Sequence, residues 1–86
     1  MKLNDIIRLY RNKRYEQALT ELLSLEVEAE ERILQAYYLG LCYTKLEQYE
    51  EALLYLEQVV TGEPDMVLIY QARMVLGYIY SITKRY

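Results

Sequence analysis

The 86-residue chain contains no His, no Trp and no Phe, and only one Cys and one Pro. Without imidazole there is no histidine base, no Cys–His nucleophile pair and no Cys/His metal cluster. A lone Cys42 cannot close an internal disulfide, and its place in an apolar helical pattern reads as a small buried hydrophobe. With Phe and Trp missing, eleven Tyr supply every aromatic ring. Tyr joins an apolar body to a polar tip, which suits half-buried helix seams and contact surfaces. Long apolar runs are missing as well. Met1-Lys2-Leu3-Asn4-Asp5 does not read as a secretory signal. The apolar-rich stretch Met66–Ile82 is interrupted by Gln71 and Arg73 and is too short to span a bilayer. These absences set the expectation of a cytoplasmic protein with no membrane span, no cofactor and no metal site.

What is present describes a globular chain, with 53% hydrophobic and 27% charged residues. The net charge of −3 is unevenly spread. Lys2, Arg8, Arg11, Lys13 and Arg14 make a basic front against Asp5 alone. Residues 16–65 are strongly acidic, with only Arg32 and Lys45 as counter-charges, and Arg73, Lys84 and Arg85 make a basic end. The bases form no continuous stripe and the chain is acidic overall, which argues against nucleic-acid binding. Carboxylate pairs such as Glu30/Glu31 and Glu50/Glu51 are adjacent in sequence, so on a helix they point in different directions. They read as solvated faces, and no residue is assigned a catalytic role.

Apolar residues recur at helical spacing along the whole chain. Leu3, Ile6, Ile7 and Tyr10 predict a helix over about 2–11, and Tyr15, Ala18, Leu19, Leu22, Leu23 and Leu25 predict a second over 14–25. The acidic stretch Glu26–Glu31 has no Gly or Pro to mark a turn, and its good helix formers allow a third helix to start as early as Glu28. That helix, with Ile33, Ala36, Tyr37, Leu39, Gly40, Leu41, Tyr43 and Leu46, is apolar around most of its circumference, as a centrally placed helix should be. Tyr49–Val60 forms a fourth, stopped by Thr61-Gly62-Glu63-Pro64, and Asp65 can cap a fifth over 66–82. Nothing alternates as a strand does. The fold class is all-α, five helices joined by short turns and therefore antiparallel neighbours.

Tyr15-Glu16-Gln17-Ala18-Leu19 and Tyr49-Glu50-Glu51-Ala52-Leu53 are the same pentad but for Gln17 against Glu51, 34 residues apart, the period of helix–turn–helix arrays. Leu76-Gly77-Tyr78-Ile79-Tyr80 echoes Leu39-Gly40-Leu41-Cys42-Tyr43 at an offset of 37, so three extra residues are expected as added helix before Leu76. Ala36 through Leu53, followed by Glu63-Pro64, resembles the tetratricopeptide repeat, with its Leu-Gly, then Tyr, then Tyr-x-x-Ala, then closing Pro. Ala36 stands where that pattern has Trp. The first unit departs further, with Ile6 in the place of Gly40 and Glu30 in the place of the closing Pro. The resemblance implies a right-handed superhelical α-solenoid of two and a half repeats, over about 2–30, 31–65 and 66–86. Small residues are expected where the helices of a hairpin cross closely: Ala18, Gly40, Ala52 and Gly77.

The resemblance also implies a protein-interaction module, in which first helices of successive units line a concave groove for a peptide or partner helix. Carried onto this chain, the groove takes Leu3, Ile7, Tyr10 and Arg11, then Leu34, Tyr37, Leu41, Thr44 and Lys45, then Gln71, Met74, Tyr78 and Ser81. It is apolar and aromatic with few charges. Family members that grip acidic chaperone tails use a Lys/Asn/Arg cluster, and Leu3 and Ile7 occupy the first of those places here. The third unit breaks off at Tyr86, opposite Tyr49, so Leu76, Ile79 and Tyr80 are expected to be open to water. That leaves two expectations, a fragment of a longer array or a homo-oligomer that associates through this terminal helix.

Overall fold

The structure is a computed structural model, and it describes residues 1–62 and 66–83. Those residues form five α-helices and no strand: α1 (Leu3–Arg11), α2 (Tyr15–Ser24), α3 (Arg32–Lys45), α4 (Tyr49–Thr61) and α5 (Met66–Thr83). A single 3-10 turn, Ala29–Glu31, leads into α3. The expected helix stop at Glu63-Pro64, the cap at Asp65 and the threshold at Lys84-Arg85-Tyr86 lie outside the described residues. The three extra residues of the third echo are helical. α3 begins seven residues before Leu39, whereas α5 begins ten before Leu76.

Each helix packs on the next in the chain, and α3 also touches both α1 and α5. The radius of gyration, 12.2 Å, matches the ~12 Å of a compact chain of this length. Ile6, Leu22, Leu56, Val59 and Ile79 are shut off from water almost completely, and no buried residue among those described is polar or charged. Burying each such aliphatic side chain contributes about 1.5–3 kcal/mol. α3 stands at the centre, with Ala36, Leu39, Gly40, Cys42 and Tyr43 all buried, which accounts for its all-round apolar pattern.

The turns that reverse the chain repeat as faithfully as the pentad does. Lys13 and Glu47, themselves 34 residues apart, are the two non-glycine residues with positive φ among those described, at 65° and 63°. Around Lys13 the N–H of Lys13 bonds the Tyr10 carbonyl (3.0 Å) and that of Arg14 bonds the Leu9 carbonyl (2.9 Å). Around Glu47 the same two bonds run from Glu47 to Thr44 (3.1 Å) and from Gln48 to Tyr43 (2.8 Å). This is the Schellman closure of a helix, in which the left-handed residue normally is Gly. A side chain there costs about 1–2 kcal/mol. Lys13→Gly and Glu47→Gly are therefore each expected to raise the unfolding free energy by up to about 1 kcal/mol, part of the relief being returned as unfolded-state entropy. Urea midpoints of the two variants beside the parent test this, and unchanged or lowered midpoints for both would refute it.

The α2–α3 connection, which lacks Gly and Pro, is closed by a side chain instead. The Gln35 amide on α3 donates to the carbonyls of Leu22 and Leu25, both at 2.9 Å. The Leu22 oxygen also accepts the Leu25 N–H at 3.3 Å, so the Gln35 amide adds a second bond there and supplies one to the Leu25 oxygen from across the seam. Gly62 acts by close approach, not by conformational freedom. Its φ is −89°, and a Cβ there would lie 2.5 Å from Ile33 Cδ1 and 2.9 Å from the Gln58 carbonyl.

Candidate functional site

A groove of about 550 Å³ opens where α1, α3 and α5 come together, lined by Tyr10, Leu41, Thr44, Lys45, Glu47, Tyr49, Met74, Val75 and Tyr78. The α3 residues reach it because Leu41, Thr44 and Lys45 recur at helical spacing on the side of α3 turned away from Leu39 and Cys42. Thr44 spends its hydroxyl on the Gly40 carbonyl (2.7 Å), which leaves its methyl group to the groove. Lys45 is exposed, so its charge sits at the edge.

Tyr10 ties the groove to the core through rings. It meets Tyr15 edge to face at 5.4 Å and Tyr38 at 5.6 Å, and Tyr38 meets Tyr37 at 5.4 Å. These contacts link α1, α2 and α3, and each such pair adds about 0.5–1.5 kcal/mol beyond simple burial. Desolvation, with the neighbouring rings and Cys42 adding to it, pushes the Tyr10 hydroxyl up to about 12. Tyr49 is also raised, by desolvation and then by Glu47 and Tyr78. Both phenols therefore stay neutral at ordinary pH and offer an O–H donor on an otherwise apolar wall.

Of the thirteen residues assigned to a groove from sequence, Tyr10, Leu41, Thr44, Lys45, Met74 and Tyr78 line it. Leu3 and Ile7 do not: they are 5% and 8% exposed and belong to the core. Leu34 and Tyr37 are half-buried and Arg11, Gln71 and Ser81 are exposed, all outside the lining. Glu47, Tyr49 and Val75 were missed. The signal for two of them was present, since the α3–α4 turn and the repeated Tyr49 close one end of the groove.

The open side of α5 is also elsewhere than expected. Leu76 (7% exposed) and Ile79 (0%) are buried, because α5 rests that side on its two neighbours, α4 and α3. Tyr80 is half-buried and its hydroxyl donates to Glu57 Oε1 at 3.2 Å. What faces water is Met66, Val67, Tyr70, Met74, Tyr78 and Ile82. The four small crossing residues divide in the same way. Ala18, Gly40 and Ala52 are buried at helix contacts, while Gly77 is exposed with open space over its Cα.

Among the described residues no group of His, Cys, Asp and Glu side chains is placed to hold a metal ion, and no helix is long and apolar enough to cross a membrane. No protein-family model, no curated protein and no solved structure matches the chain.

Proposed function

We propose that the chain is a tetratricopeptide-like, non-enzymatic interaction module, a cytoplasmic scaffold that holds an apolar helix or peptide in the Tyr10–Leu41–Tyr78 groove. The observation that carries the reading is the convergence of α1, α3 and α5, the first helices of the three sequence units, on one groove. The 34-residue recurrence of both pentad and Schellman turn supports the repeat, as does the pattern in which α3 touches α1 and α5. A right-handed superhelix is the form that such stacking takes.

The groove's chemistry narrows the occupant. Tyr10, Tyr49 and Tyr78 with Leu41, Met74 and Val75 give broad apolar contact, and Lys45 and Glu47 supply one charge of each sign. A ligand with apolar residues at helical spacing and few charges fits this surface, and phenol donors fix its register. Leu3 and Ile7, being buried, offer no cation cluster for an acidic tail.

Selection of a displayed random-peptide library on the immobilised chain tests the reading. The expected result is a family of apolar, helix-forming peptides whose affinity falls at least tenfold, about 1.4 kcal/mol, when Leu41 is changed to Glu or Tyr78 to Ala. No enriched family, or one indifferent to both substitutions, would overturn the proposal.

A further inference from the structure

The exposed apolar residues of α5 are not scattered. Met66, Tyr70, Met74, Tyr78 and Ile82 follow one another at intervals of four, so they form a single i±4 ridge along the helix, with Val67 beside it. They are 72%, 66%, 60%, 56% and 43% exposed, and Val67 is 67% exposed. The ridge is palindromic about Met74: Tyr stands four residues away on each side, and an aliphatic side chain eight residues away on each side. Across a two-fold axis residue i meets j and j meets i, so an antiparallel pair centred on Met74 sets ring against ring and apolar chain against apolar chain.

The size of the patch agrees. Taking roughly 200 Å² for a side chain of this class, the six residues leave on the order of 700 Å² open to water. That is more than the largest apolar patch of a typical monomer, about 300–600 Å², and close to the roughly 800 Å² per partner of a standard interface. Arg73 is the one charged residue among Met66–Thr83, so little desolvation of charge opposes association. Beside the ridge lie Gly77, with open space above it, and Ser81. These small residues leave a trough that a partner's ridge can enter.

We infer that α5 is a self-association surface on which a second copy of this chain packs antiparallel, with the two Met74 side chains near the two-fold axis. Tyr70 then lies beside Tyr78 of the partner subunit, and Met66 lies against Ile82 of the partner subunit. The two Arg73 side chains stand on the same side of the axis, so added salt screens their repulsion and tightens the dimer. Met74 and Tyr78 also line the groove, and if the groove holds a ligand as proposed above, dimer and ligand compete for α5.

Light scattering over a concentration series tests the dimer, with Tyr70→Lys as the disruptive variant. Tyr70 is exposed and outside the groove, so its replacement leaves the helical circular dichroism and any groove binding in place. A dimer that salt strengthens and Tyr70→Lys weakens at least tenfold is expected. Pairing is read by disulfide trapping, since the native Cys42 is buried. Met74→Cys should cross-link with itself, and Met66→Cys should cross-link preferentially with Ile82→Cys. A monomer throughout the series, an assembly that grows beyond the dimer, or self-linking of Met66→Cys in preference to Met74→Cys would overturn the assignment. So would a dimer unmoved by Tyr70→Lys.

Discussion

Replacing Gly40 by Ala is expected to lower the stability of this protein, whereas the same replacement at Gly77 is expected to raise it. The two glycines hold equivalent places in the Leu39-Gly40 and Leu76-Gly77 echoes, and in an isolated helix both changes would gain about 1 kcal/mol. Their surroundings decide the sign. A Cβ on Gly40 would lie 2.6 Å from Leu56 Cγ and 2.7 Å from Leu56 Cδ2. Leu56 is fully buried, and its Cγ is a branch point, not a free end that can swing aside. Overpacking of this kind costs about 1–3 kcal/mol, enough to outweigh the helix propensity. A Cβ on Gly77 meets nothing within 4 Å and keeps its gain. Gly40→Leu should be far worse. With total stability of about 0.05–0.15 kcal/mol per residue, several kcal/mol of strain leaves the variant largely unfolded at room temperature. Leu56→Ala alone should cost about 2–5 kcal/mol, yet in the Gly40→Ala background it should cost clearly less, because each change makes room for the other. Thermal melts of the single and double variants, at concentrations where association is negligible, supply the cycle. Additive costs for Gly40→Ala and Leu56→Ala would show that the two sites do not share the space this crossing implies.

The same pair of glycines shows where the sequence was readable and where it was not. Helical periodicity placed the helix ends within a residue or two, except at the α2–α3 connection, because a 3.6-residue apolar rhythm is local information. There a long-range contact took over, as the Gln35 amide closes α2 from another helix and no spacing rule predicts such a bond. The echo at Leu76-Gly77 correctly marks a helix built like α3, but an echo does not say which neighbours are present. Leu76 and Ile79 were expected in water on the ground that α5 lacks a following helix. They are buried because α4 and α3, the helices before it, are enough to cover them. Water instead meets the i±4 row from Met66 to Ile82. Leu3 and Ile7 lie in the core and not along the groove for a related reason. Both are apolar positions on a nine-residue helix, which needs its strongest aliphatics for anchorage and has few left to display. Asn12-Lys13 and Glu47-Gln48 are legible in the sequence as breaks between helices, but the left-handed backbone at Lys13 and Glu47 is not, because their side chains carry no signal of it.

Alkaline pH should unfold this protein in a window that its buried thiol and phenols define. Cys42 is fully buried on α3, and burial pushes its thiol up to about 12 from an ordinary value of 9.0. Tyr10 is pushed from 10.0 to about 12, and Tyr37 and Tyr43 are raised, in each case chiefly by desolvation. All four groups are uncharged when protonated, so the folded state holds its protons at pH values where the unfolded chain has lost them. The unfolded state then binds fewer protons, and stability falls as pH rises. The contribution is complete below about pH 9 and is lost progressively toward pH 12. By linkage, Cys42 alone should remove about 2 kcal/mol between pH 7 and pH 10.5, and the tyrosines add to this above pH 10. Urea denaturation at several pH values measures the slope, and Cys42→Ala isolates the thiol because it leaves every other titrating group in place. The variant should be less stable than the parent at neutral pH, through the small cavity that it opens, but should lose stability more slowly above pH 9. The two lines converge. Parallel lines would mean that Cys42 ionises as readily in the folded chain as in the unfolded one, and that α3 does not exclude water from the centre of the core.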